Sequence, residues 1–281
     1  MTLTILSTSR SHGGTQGVYS HDSRATGTPM TFAVFVPDHA PGTRLPVLTY
    51  LSGLTCTHAN VMEKGEYRAA CAAHGIIFVA PDTSPRGEAV SDDADGGWDF
   101  GLGAGFYVDA TRSPWAAHYR MRSYIESELP ALLAAHFPVD MGRQGITGHS
   151  MGGHGALTIS LRNPGRYRST SAFAPIVSPL NCPWGEKAMG LYLGADREAW
   201  RDYDACALIA DGARLPDLLV DQGDADVHLD TQLKAQLLVD ACTAAGQSAT
   251  IRMQAGYNHY YDFISTFMAD HVAWHAERLK A

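Results

Sequence analysis

Ser150 lies in GHSMGG (148–153), and a serine between glycines in G-x-S-x-G is placed to act as a nucleophile. With 28 glycines in 281 residues the bare pattern is only moderately specific. Its surroundings add weight. The apolar run RQGIT (143–147) precedes it and a helical pattern, 151–161, follows. A sharp strand–turn–helix bend there would lift the serine oxygen above a sheet and leave the Met151 N–H at a helix start, facing a developing oxyanion. The alternative is a glycine-rich turn without chemistry. A nucleophilic serine needs a base and an acid that orients it. On such an elbow they follow in the order Ser, acid, His. Of the downstream histidines, His154 falls on the helix after the elbow. His271 and His275 stand four apart, a spacing that fits a solvated helix face better than a metal site. His259, in the loop AGYNHYYDF (255–263), is the best-placed base. The loop DQGDADVH (221–228) offers Asp221, Asp224 and Asp226, and position alone does not separate them. LSGLTC (51–56) follows an earlier apolar run. There Gly53 permits a tight turn, and the Leu54 N–H is the candidate second oxyanion donor.

These loops require a sheet to hold them. The runs 30–36, 46–52, 76–81, 143–147, 169–174, 216–223 and 249–254 read as strands. The run 76–81 is continuous and β-branched, as in a strand buried on both faces. Helical patterns cover 60–74, 118–137, 229–246 and 262–279, with a bend expected near Pro130 and a stop at Gly246. Strands alternating with helices predict one α/β domain over 1–281, a mostly parallel sheet with helices on both faces. Ligands of such sheets bind at the carboxyl ends of the strands.

Composition narrows the function. Apolar residues make up 45% and charged residues 18%, enough for a large core. The net charge is −8 and there is no basic block, which argues against nucleic acid and anionic membranes as partners. The N-terminal residues lack the pattern of a signal peptide, and no apolar run approaches the ~18 residues of a membrane span. Cys56, Cys71, Cys182, Cys206 and Cys242 are scattered and odd in number, which suggests free thiols in a cytoplasmic protein.

Longer segments are more distinctive than the elbow. SGLTCTHAN, GGWDFGLGAGFYVDAT, GHSMGGHGAL, CPWGEKAMGLYLG and DQGDADVHL resemble the S-formylglutathione hydrolase (esterase D) family, and the resemblance runs nearly end to end. It implies an α/β-hydrolase fold without a large lid and a triad of Ser150, Asp226 and His259. The match at DQGxxD is what selects Asp226. It implies oxyanion donors at Leu54 and Met151, no metal or organic cofactor, and a homodimer, the state common in the family. It also implies that Cys56 lies near the site and confers sensitivity to thiol reagents. Near the histidine this chain reads GYNHYYDF where the family pattern is close to GYDHSYYF. The added carboxylate, Asp262, would raise the pKa of His259 if it pointed inward.

The reaction so implied is hydrolysis of the thioester S-formylglutathione to glutathione and formate, as in formaldehyde detoxification, with short acyl esters as secondary substrates. Trp98 and Trp184 are candidate walls of a small acyl pocket, with core packing as the alternative. Lys64, Arg86 and Arg112 are candidate contacts for the glutathione carboxylates. Three other readings compete: a broad short-chain carboxylesterase without glutathione dependence, an acyltransferase, and a binding protein that has kept the scaffold.

Overall fold

The computed structural model describes residues 2–280. Its centre is a nine-stranded sheet in the order β1-β2-β3-β5-β4-β6-β7-β8-β9. The strands are β1 (Thr4–Ser11), β2 (Gly14–Asp22), β3 (Pro29–Pro37), β4 (Leu45–Leu51), β5 (Ile77–Pro81), β6 (Val139–Gly148), β7 (Tyr167–Phe173), β8 (Leu218–Gly223) and β9 (Thr250–Gln254). From β5 to β9 neighbouring strands run parallel, and β1, β2 and β3 form an antiparallel extension at one edge.

Each of the seven sequence-predicted strands is present. β1 and β2 are additions. They form a hairpin whose turn residues, His12 and Gly13, both have positive φ, the geometry that matches strand twist in a two-residue turn. β1 is exposed along nearly its whole length and rich in Ser and Thr, so it carries no alternating apolar signal.

β7 shows how the layers are sorted. Successive side chains in a strand point to opposite faces. Ser171 and Phe173 meet the C-terminal helix Tyr261–Lys280 through His271 and His275. Ala172, between them, packs in a separate cluster with Leu157 and Leu161 of the helix Met151–Arg162. Helices therefore cover both faces. Each large apolar side chain buried this way contributes about 1.5–3 kcal/mol. Among the described residues no helix is long and apolar enough to cross a membrane.

Three helices depart from the sequence expectation. The 60–74 segment is two helices, His58–Lys64 and Arg68–His74, because the chain turns at Gly65 and Glu66, where Glu66 has φ 51°. The 229–246 segment opens as a π-turn, Leu229–Leu233, and breaks at Lys234 (φ 52°) before Ala235–Ala245. Gly246 ends it in the left-handed conformation, as expected. The Pro130 bend takes the form of a π-turn, Tyr124–Glu128, in which the Leu129 N–H reaches back to the Tyr124 carbonyl. The wider turn makes room for a ring that would otherwise strike the preceding carbonyls.

Candidate active site

The residues singled out in the sequence meet at the carboxyl ends of β4, β6 and β8. Ser150 follows β6 and has φ 57° and ψ −117°, a strained conformation for a residue with a Cβ. The flanking glycine makes this bend possible. A Cβ on Gly152 would lie 1.9 Å from the Leu51 carbonyl oxygen, so the first turn of the helix can sit against β4 only without a side chain.

His259 Nε2 lies 3.0 Å from Ser150 Oγ, and His259 Nδ1 lies 2.6 Å from Asp226 Oδ2. All three residues are buried. Burial works to raise the Asp226 carboxyl. Hydrogen bonds from His259, the His228 N–H and the Gln222 amide outweigh it and hold the pKa below the usual carboxylate value. The remaining loop aspartates have other partners. Asp221 is clamped by Arg252 at 2.6 and 2.5 Å and by His271 at 3.1 Å. Asp224 accepts from the Gly256 N–H.

Leu54 and Met151 flank the serine. Among the described residues neither backbone N–H has a hydrogen-bond acceptor in the protein, whereas the neighbouring N–H groups of Ser150, Gly152, Thr55 and Cys56 are all engaged. Two free donors beside a nucleophile are what an oxyanion site requires. Gly53 does not face the cavity. A Cβ there would lie 3.0 Å from His149 Nδ1 and 3.1 Å from Ser150 Cβ, so the glycine lets the Leu54 turn close on the elbow.

Ser150, His259 and Leu54 open into a cavity of about 470 Å³. Trp98 and Trp184 form part of its wall and meet edge to face, with ring centroids 5.5 Å apart. Trp184 is buried and Trp98 is 55% exposed, so one forms the floor of this wall and the other its rim. Cys56 also lines the cavity. Burial pushes its thiol pKa up, only partly offset by the Lys64 charge, so it is a thiol at neutral pH. Of the three candidate cations only Lys64 lines the cavity. Arg86 is paired with Asp82, and Arg112 bonds the Gly190 carbonyl.

Other expectations need correction. His271 and His275 are not a solvated face. Both are fully buried, in a chain of hydrogen bonds from Asp221 through His271, Ser171 and His275 to Ser169. Asp262 is exposed to solvent. His154 lies on the helix after the elbow, as expected; it turns away from the serine to bond the Phe106 carbonyl, and burial lowers its pKa to about 4.

Sequence reasoning also missed two histidines that line the cavity. His149 lies beside His259 with ring centroids 4.5 Å apart and the rings tilted by 48°. Among the described residues neither of its ring nitrogens has a hydrogen-bond partner, and burial holds it well below the usual histidine range. His228 lies 5.1 Å from His259 and 4.8 Å from Trp184, also lowered by burial. Both lie inside motifs already singled out, His149 in GHSMGG and His228 in DQGDADVH.

Comparison with known proteins fits this geometry. The family model Esterase matches residues 23–276. The S-formylglutathione hydrolase of Paracoccus denitrificans is 53% identical over 274 residues, 98% of this chain and 97% of that protein. The mouse S-formylglutathione hydrolase is 49% identical over the full length of both chains. The structure of an S-formylglutathione hydrolase from Agrobacterium tumefaciens superposes with a TM-score of 0.96 at 56% identity, over 98% of this chain and 99% of that one. With a hydrogen-bonded serine, histidine and aspartate set in such a fold, this chain belongs to the S-formylglutathione hydrolase family of esterases.

Proposed function

We propose that this protein hydrolyses S-formylglutathione to glutathione and formate by a double-displacement mechanism on Ser150. The observation that supports it most is the unbroken hydrogen-bonded chain from Asp226 through His259 to Ser150, opening beside two unengaged N–H groups. His259 takes the Ser150 Oγ proton as the oxygen attacks the formyl carbon. The carbonyl electrons move onto oxygen, which rests on the Leu54 and Met151 N–H groups. As the tetrahedral species collapses, the C–S bond breaks and glutathione leaves with the proton from His259. A thiol of pKa about 8.5 leaves far more easily than an alcohol. Water, deprotonated by His259, then attacks the formyl-serine and releases formate. Asp226 fixes the His259 tautomer and stabilises the imidazolium. The steps need no metal or organic cofactor.

The cavity is large for a formyl group, and this supports a second activity on short-chain acyl esters with the same residues. One methylene changes discrimination by only ~1–3 kcal/mol. In this reading the chain acts as one domain, in the cytoplasm and as a homodimer, on small-molecule substrates.

The test is kcat/KM for S-formylglutathione against p-nitrophenyl acetate. A marked preference for the thioester supports the glutathione-directed role. Equal or better turnover of the plain ester moves the protein to a general short-chain carboxylesterase.

A further inference from the structure

Lys64 is the one lysine or arginine among the described residues that line the active-site cavity. The protein carries a net charge of −8, so a cation in this position is not part of a general basic surface. Other cations near the site are neutralised by the protein. Arg86 is held by Asp82, and Lys187 is held by Asp93 at 2.8 Å and by Asp99 at 2.6 Å. Lys64 has no carboxylate partner among the described residues. It sits at the last turn of the helix His58–Lys64, one turn after Asn60, which lines the same cavity; residues four apart share a helix face. The helix is fixed at its other end by a capping box between Thr57 and Asn60, so Lys64 is presented from an anchored element. Its charge reaches the Cys56 thiol, two residues beyond Leu54. The cation therefore lies on the oxyanion-loop side of the cavity.

From this placement we infer that Lys64 is the specificity-determining residue that receives a carboxylate of the glutathione moiety. The inference rests on the proposed glutathione thioester activity and names the group that gives it selectivity. A thiol ester of glutathione carries a carboxylate at each end of the tripeptide, whereas a simple ester such as p-nitrophenyl acetate carries none. An unpaired ammonium at the exposed rim of the cavity favours the charged substrate over neutral ones. That interaction does not change as the formyl carbonyl becomes tetrahedral, so it acts as uniform binding and is read in KM rather than kcat.

The experiment compares wild type, Lys64→Gln and Lys64→Arg on three substrates. These are S-formylglutathione, its glycyl monoethyl ester, and the formyl thioester of N-acetylcysteamine, which has the same reacting group and no carboxylate. In Lys64→Gln the ratio of kcat/KM for S-formylglutathione to that for the neutral thioester is expected to fall at least tenfold, through KM. Lys64→Arg should recover most of it. The wild-type ratio should shrink between low salt and about 0.5 M NaCl, and the Lys64→Gln ratio should not. If the monoethyl ester behaves as the neutral thioester does, the glycyl carboxylate is the one received. If it behaves as S-formylglutathione does, the γ-glutamyl carboxylate is. A Lys64→Gln ratio equal to that of wild type overturns the inference, and so does an equal loss on the charged and neutral thioesters. Failure of the wild type to turn over S-formylglutathione is a different result. It removes the proposed activity and this inference together.

Discussion

His259 Nε2 stands 3.0 Å from Ser150 Oγ although 109 positions separate the two residues in the chain. The serine is fixed by the strained turn after β6, and the histidine by the loop between β9 and the C-terminal helix. Asp226, from the loop after β8, closes the relationship by bonding the opposite ring nitrogen at 2.6 Å.

Asp226→Asn should therefore preserve the position of the ring and reverse its preferred tautomer. Kcat is expected to fall by about 10⁴-fold, with KM little affected, as measured by steady-state hydrolysis of p-nitrophenyl acetate. A loss under tenfold would mean that Asp226 does not orient the base.

Trp184 and Trp98 meet edge to face over the cavity, and Trp184 also contacts His228. Trp184→Ala opens the acyl end of the cavity. The ratio of kcat/KM for p-nitrophenyl butyrate to that for the acetate is expected to rise by roughly tenfold, the scale of one to two methylenes. An unchanged ratio would place the acyl group elsewhere.

Cys56 lines the cavity as a half-buried thiol. An alkyl group added there would occupy space beside Ser150. N-ethylmaleimide should inactivate the wild type, faster as the pH rises and the thiolate fraction grows. Cys56→Ser should resist. Equal inactivation of the variant would shift the effect to another cysteine.

The strand pattern was legible because the inner strands are apolar and punctuated by loops. β1 was not, since a Ser- and Thr-rich edge strand exposed to solvent has no reason to alternate, and β2, though largely covered between β1 and β3, is built of glycines and polar residues that give no apolar run. The helix breaks at Glu66 and Lys234 were equally hidden. Both residues take positive φ without being glycine, a choice set by tertiary packing rather than by local preference. At the site, the motifs located Ser150 and His259 directly. Position alone left three aspartates open, because which of them reaches His259 depends on Asp221 being taken by Arg252 and His271. The pairing of His271 with Asp221 was invisible for a similar reason. A four-residue spacing on a helix says nothing about which face is buried.

The buried chain from Asp221 to Ser169 has the residue types of a catalytic relay, but it is closed to solvent and serves stability. Burial opposes ionisation of Asp221, yet His271 and Arg252 prevail and lower its pKa to about 2 from an ordinary 3.8. Folded Asp221 thus holds its proton less tightly than unfolded Asp221. The stabilisation is complete above the ordinary value and is lost as the pH falls through about 2. It amounts to on the order of 2 kcal/mol. Asp221→Asn is expected to cost on the order of 2 kcal/mol at neutral pH, because Arg252 and His271 lose the carboxylate while Arg252, partly exposed, keeps Asp270 at 3.9 Å. In urea unfolding, the gap between wild type and variant should narrow as the pH is lowered toward 2. A gap independent of pH would contradict this assignment.

The central claim is that Ser150 is the nucleophile, and kcat/KM of Ser150→Ala on S-formylglutathione tests it most directly. The expected result is a fall of at least about 10⁴-fold in a variant that unfolds at the wild-type temperature. Activity close to wild type would contradict it, and GHSMGG would then be a glycine-rich turn and nothing more.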